Sequence, residues 1–157
     1  MVEELLVSNA NERGATFSAD GRWIAYQSDE SGRNEIYVRP FPDVDAGRWQ
    51  VSTTGGTQPV WSPDPDRQEL FYTDPAPSLV AVPVRGEGAT FAYGNPEVLF
   101  DGTACVLRPN SRYYDVSPDG KRFLMIKVHS VGEDGAVPEI IVVENWFEEL
   151  KTLVPVP

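Results

Sequence analysis

Three stretches of the chain are apolar at consecutive rather than alternate positions: Trp23-Ile24-Ala25-Tyr26, Leu70-Phe71-Tyr72 and Phe123-Leu124-Met125-Ile126. Successive side chains of a strand point to opposite faces, so a strand of this kind is buried on both sides. A turn of one pattern precedes each: Ser18-Ala19-Asp20-Gly21, Ser62-Pro63-Asp64 and Ser117-Pro118-Asp119-Gly120. Further strand-like stretches flank them. Residues 4–8, 49–53 and 97–100 stand upstream, and residues 34–38, 78–82 and 139–143 downstream. The chain therefore reads as three copies of a four-stranded unit, spanning about 3–48, 49–96 and 97–146.

The turn serines Ser18, Ser62 and Ser117 stand about 44 and 55 residues apart, where one propeller blade takes ~40–50. The longer second interval is assigned to a loop running from Arg85 through Asn95-Pro96. Radial stacking explains the doubly apolar strands, because each blade is sandwiched between neighbours. Trp23, Phe71 and Phe123 are then expected at matching places. In the turns, Asp20-Gly21 and Asp119-Gly120 join an aspartate that bonds its own backbone to a glycine free to take positive φ. The copy at Asp64 lacks the glycine and is longer, which predicts a looser, more exposed hairpin. A carboxyl that recurs in every copy serves the repeat, so these aspartates read as turn formers and not as metal ligands or catalytic acids.

The period changes at the end. Asn145 and Glu148 form a capping box, Trp146, Leu150 and Leu153 share one helical face, and Pro155 stops the run. This predicts a short helix over 146–153, docked on the strands because its adjacent aromatics are costly to leave wet.

Composition narrows the function classes. The net charge is −11, from 24 acidic and 13 basic residues, a field that repels nucleic acid and anionic membrane surfaces. No apolar run reaches the ~20 residues of a membrane span. Cys105 and His129 are single copies, which excludes an intrachain disulfide and a multi-histidine metal site. Cys105 reads as a small buried hydrophobe, and His129 as a surface or packing residue. A Gly-x-Ser-x-Gly elbow is missing, and the acidic pairs Asp43/Asp45, Glu133/Asp134 and Glu148/Glu149 lack the spacing of a calcium loop. The reading is of a protein with no catalytic residue, no metal and no cofactor.

The motif Ser-Pro-Asp-Gly, an apolar strand, a polar turn and then Glu35-Ile36-Tyr37-Val38 resembles the TolB-like (WD40-like) β-propeller repeat. The stretch Gly21 to Pro42 is similar to its most typical copy. The ending Val143-Glu144-Asn145-Trp146-Phe147 resembles bacterial proteins that join a serine/threonine kinase to such a propeller. The kinase motifs themselves are absent, so kinase activity is not carried over. The resemblance implies an all-β fold of three blades, half of a ring that usually has six. It also implies a place outside the cytoplasmic membrane. Either further blades of a longer chain or a second copy would complete the ring, and in the second case residues 4–8 of one copy would supply the outer strand of the other's last blade. Residues just before each innermost strand should line the channel mouth: Arg13, Thr57, Gln58, Arg112 and Tyr113. They make the chain an interaction module for a protein, peptide or small ligand. The alternative is a gating propeller of a peptidase or hydrolase whose catalytic domain lies elsewhere.

Overall fold

The computed structural model describes residues 5–88, 90–103, 105, 112–127 and 139–143. They form twelve strands in three antiparallel sheets. The first sheet runs β1 (Glu12–Phe17), β2 (Trp23–Ser28), β3 (Glu35–Pro40), β4 (Trp49–Gln50). The second holds β5 (Thr57–Trp61), β6 (Glu69–Thr73), β7 (Ser78–Glu87) and β8 (Thr90–Tyr93), with β9 (Glu97–Asp101) also paired to β7. The third runs β10 (Tyr114–Val116), β11 (Phe123–Lys127), β12 (Glu139–Val143). The stretches that open the second and third sequence units, β4 and β9, pair backwards onto the preceding sheet.

Two apolar layers hold the sheets face to face. Trp23, Ala25, Ile36 and Val38 of the first sheet meet Trp61, Leu70, Tyr72, Val80 and Val82 of the second. On the other face of the second sheet, Phe71, Leu79, Ala81 and Leu99 meet Tyr114, Phe123 and Met125 of the third. Phe71 and Phe123 cross edge to face with centroids 5.0 Å apart, a favoured aromatic geometry. Strand β6 thus faces apolar neighbours on both sides, which is why its apolar residues run consecutively.

The outer faces differ. Ile24 and Tyr26 point away from the second sheet yet are buried. Arg39 donates to the Tyr26 hydroxyl at 2.9 Å and to the Val44 carbonyl at 2.9 Å. The Tyr26 and Tyr37 rings stack, and the Arg48 guanidinium lies 5.7 Å from the Tyr37 centroid. On the third sheet Leu124 and Ile126 alternate with Phe123 and Met125, and they are 46% and 37% exposed.

Four expectations change. The register pairs Phe17 with Ile24, Trp61 with Leu70 and Val116 with Phe123, so Ile24, Leu70 and Phe123 are the matching residues, and Trp23 and Phe71 are not in Phe123's place. The segment Arg85–Pro96 is no loop: β7 continues to Glu87 and turns at Gly88 into β8, because Phe91 gains a buried seat between the first two sheets. Leu5–Ser8 form no strand, and none of the described strands pairs with them. The third apolar strand is buried on one face only, since no further described sheet covers the other. The helix at 146–153 and His129 lie outside the described residues. Cys105 is half-buried beside the second apolar layer.

Candidate functional site

The innermost strands β1, β5 and β10 begin at one end of the molecule, and the sequence-predicted mouth residues lie there. Arg13 and Arg112 are exposed, Thr57 and Tyr113 half-buried, and Gln58 only 4% exposed. Gln58 is therefore not a surface residue. It sits at a bulge with φ +58°, in the place that Gly14 occupies in the first sheet with φ +63°. A non-glycine residue holds that conformation only where its surroundings fix it. Here the Gln27 side-chain oxygen accepts from the Gln58 amide at 3.0 Å, and the Gln58 side-chain oxygen accepts from the Tyr113 amide at 3.0 Å. The Tyr114 hydroxyl donates to the Gln58 carbonyl at 2.7 Å. Burial pushes the Tyr114 phenol well above its usual range, so it stays a donor. The first and second sheets thus each use a glutamine to hold the start of the sheet that follows.

A second buried anchor supports Thr57. The Glu35 carboxyl group is fully buried. It accepts from Arg33 Nε at 2.7 Å, from the Ser52 hydroxyl, and from the Gly55 amide at 3.0 and 3.1 Å through its two oxygens. Ser52 Oγ in turn accepts from the Ile36 amide. The linker carrying Thr57 is tied to β3 in this way. Thr57 and Thr73 share a hydroxyl hydrogen bond of 2.8 Å on the wall of a groove of about 420 Å³ that Arg33 and Asp74 also border. Neither Gln27 nor Glu35 is singled out by sequence, because each reads as one polar residue beside apolar ones and, Arg33 apart, the partners named here lie 17 to 31 positions away.

The charges at the mouth are engaged. Arg112 Nη2 is 3.7 Å from Asp115. Asp29 accepts from the backbone and the side-chain amide of Asn11, and these bonds, the backbone one first, hold its carboxyl below the usual range, with the Arg13 charge adding to them. Among the described residues no group of three or more His, Cys, Asp or Glu could hold a metal ion, and no helix is long and apolar enough to cross a membrane.

The repeated turns lie at the other end. Ser18 donates to Asp20, which accepts from the Arg22 amide and pairs with its guanidinium at 2.7 Å. Asp119 takes the same bonds from Ser117 and the Lys121 amide. Gly21 and Gly120 have φ of +68° and +67°, the left-handed region the Asp-Gly pattern predicts. In the middle copy Asp64 accepts the matching bond from the Asp66 amide but none from the Ser62 hydroxyl, and the hairpin is mostly exposed. Burial, the largest single effect on the Asp20 carboxyl, raises it, but the bonds from Ser18 and Arg22 together outweigh it and the net direction is down. Hydrogen bonds from Ser117 and Lys121 lower Asp119. Three carboxyls, Asp20, Asp29 and Asp119, thus have folded values below the unfolded value near 3.9. Their stabilisation is complete above about pH 5 and is lost as the pH falls through 3.9 towards the folded values. The urea midpoint should therefore drop between pH 6 and pH 3, and drop less in an Asp20→Asn/Asp119→Asn variant that has already lost two of the groups.

No family model and no curated protein matches the sequence. Solved structures do match. A protein assigned as TolB from Agrobacterium tumefaciens is 14% identical with a TM-score of 0.56, over 88% of this chain and 47% of that one. An oligogalacturonate lyase from Vibrio parahaemolyticus is 14% identical with a TM-score of 0.52, over 79% and 32%. A protein assigned as a 6-phosphogluconolactonase from Bacteroides uniformis is 19% identical with a TM-score of 0.51, over 88% and 43%. At these identities the likeness concerns the fold, which is TolB-like and all-β. The chain spans between a third and a half of the length of these structures.

Proposed function

We propose that the chain is one half of a six-bladed propeller that acts as a non-catalytic interaction module, binding a protein, peptide or small ligand at the channel mouth. The observation that carries this reading is the glutamine relay through Gln27, Gln58 and Tyr113. It fixes Arg13, Thr57, Arg112 and Tyr113 in mutual register, and a surface ordered before binding loses little entropy on binding. Asp29, whose carboxyl is held below the usual range by its bonds from Asn11, is a poor candidate for a general acid. A gating propeller for a hydrolase whose catalytic domain lies elsewhere is the second reading, and it draws on the chain's span of about a third to a half of the solved structures it resembles.

Ring completion is assigned to a second copy. Two features complement each other. The third sheet has three described strands where the first has four, and it exposes Leu124 and Ile126. Residues 5–8 have strand pattern without a strand partner, and Val7 is 80% exposed. Exchange of this segment would add a fourth strand beside β12 of the partner.

Light scattering should give twice the 17.4 kDa chain mass, falling to one chain when residues 1–8 are deleted or Leu124 becomes aspartate. A single-chain mass for the intact protein would overturn the assembly. Against an array of immobilised peptides, Arg13→Ala/Arg112→Ala should lose the peptides that the parent binds, with an unchanged melting temperature. Binding that ignores both arginines would overturn the mouth as the site.

A further inference from the structure

The groove beside Thr57 lies at the mouth, where the β2–β3 turn and the linker before β5 meet the β6–β7 turn. Arg33, Asn34, Thr57, Thr73 and Asp74 border it. Its volume of about 420 Å³ far exceeds the roughly 10–15 Å³ that one water takes. Gly55, at φ +107°, brings the linker against the turn: a Cβ there would stand 2.5 Å from Pro75 Cγ.

The polar groups along this groove have acceptor capacity left over. The Thr73 hydroxyl donates to the Thr57 carbonyl at 3.2 Å, so Thr57 supplies the proton of the 2.8 Å bond between the two hydroxyls. Thr57 Oγ is then left as an acceptor. Asp74 is half-buried, and one of its carboxylate oxygens accepts from the Ser78 amide at 2.8 Å. Among the described residues no cation pairs with that carboxylate. The half-buried Asn34 side chain likewise has no partner among them, although its backbone carbonyl accepts from the Gly56 amide. Arg33 does not supply the missing charge, because its guanidinium donates to Glu35 and to the Thr53 carbonyl. Burial first, then the charges of Asp74 and Glu35, push the Tyr72 phenol up to about 12. The field on this side of the second sheet is therefore negative.

We propose that this groove binds a primary ammonium group; the inference rests on the mouth as the binding surface and names the chemistry its ligand carries. An ammonium brings positive charge and three N–H donors to a place that offers a carboxylate, a hydroxyl oxygen and an amide oxygen, those of Asp74, Thr57 and Asn34. A bare metal ion suits the groove less, because no group of three or more His, Cys, Asp or Glu among the described residues could hold one. The net charge of −11 draws cations towards the protein as a whole. The volume leaves room for the residues that carry the ammonium, which is either the N-terminus of a peptide or a lysine side chain.

The test is a titration of the intact protein with three probes: trialanine, N-acetyltrialanine, and a lysine tripeptide blocked at both ends. The backbone amide resonances of Thr57 and Asp74 report binding. Trialanine or the lysine peptide should move both, and the one that does identifies the source of the ammonium, while N-acetyltrialanine should move neither. Asp74→Asn removes the charge but keeps an acceptor for the Ser78 amide, so it should melt like the parent. It should bind the ammonium probe about ten- to a hundredfold more weakly, the size of one lost hydrogen bond to a charged group. Asn34→Ala should weaken binding about two- to tenfold, and it too should melt like the parent, because its side chain bonds to nothing in the fold. The proposal is overturned if N-acetyltrialanine binds as well as trialanine, if neither ammonium probe moves the resonances at tens of millimolar, or if Asp74→Asn binds like the parent. Array peptides that need Arg13 and Arg112 but bind equally when acetylated and lysine-free would keep the mouth as the site and overturn the ammonium alone.

Discussion

Replacing Glu35 by alanine is expected to lower the unfolding free energy by about 2–5 kcal/mol, because it leaves two buried donors without their acceptor. The side chain is fully buried and answers donors from three other residues. Arg33 is 60% exposed and can turn to water once its partner is gone. The Gly55 amide and the Ser52 hydroxyl cannot, and an unsatisfied buried donor costs about 1–3 kcal/mol. Against a total stability of about 5–15 kcal/mol for a domain, the loss brings the protein close to unfolding. Urea denaturation followed by circular dichroism measures it.

The conservative change separates charge from geometry. Glu35→Gln keeps the shape and one acceptor oxygen, so it should cost about 1–3 kcal/mol. It should also leave the linker through Gly55 in place, and with it Thr57. An alanine variant as stable as the parent would show that the carboxyl group does not hold the linker. Fast amide exchange at Gly55 and Thr57 in Glu35→Ala, with β6 and β7 still protected, would locate the damage in the linker.

The elements that were legible from sequence are those whose signal is local. Consecutive apolar residues mark β6 because a neighbouring sheet covers each of its faces, and β2 because Ile24 and Tyr26 are buried on the face turned away from the second sheet. Asp20-Gly21 and Asp119-Gly120 mark turns because the bonds close within five residues. Gln58 was placed by sequence at the mouth yet is buried, since the residues that enclose it, Gln27 and Tyr113, belong to the sheets on either side. Leu5–Ser8 carry a strand pattern, but a strand needs a partner, and none of the described strands pairs with them. The hairpin at β7–β8 was hidden for the opposite reason. Its glycines and charged residues resemble a loop, and one aromatic residue decides that it folds inward.

That residue is Phe91, and Phe91→Ala is expected to cost about 3–5 kcal/mol, in the range of large aromatic deletions from a core. The ring is 4% exposed, with centroids 5.0 Å from Trp23, 5.6 Å from Trp49 and 6.3 Å from Trp61. No other residue of β8 is buried, so the hairpin is held inward by this ring and by its ladder to β7. Alanine leaves two outcomes with different signatures. If the surroundings stay put, a cavity remains and the cost rises with its volume. If the hairpin lifts away, the three indoles meet water, and tryptophan emission shifts to the red before global unfolding. Phe91→Leu should recover more than half of the loss, because leucine fills most of the space without the edge contacts. A urea midpoint for Phe91→Ala within error of the parent would mean that the first two sheets are joined without the hairpin. The interface would then rest on the rest of the layer, Trp23, Ala25, Ile36 and Val38 against Trp61, Leu70, Tyr72, Val80 and Val82.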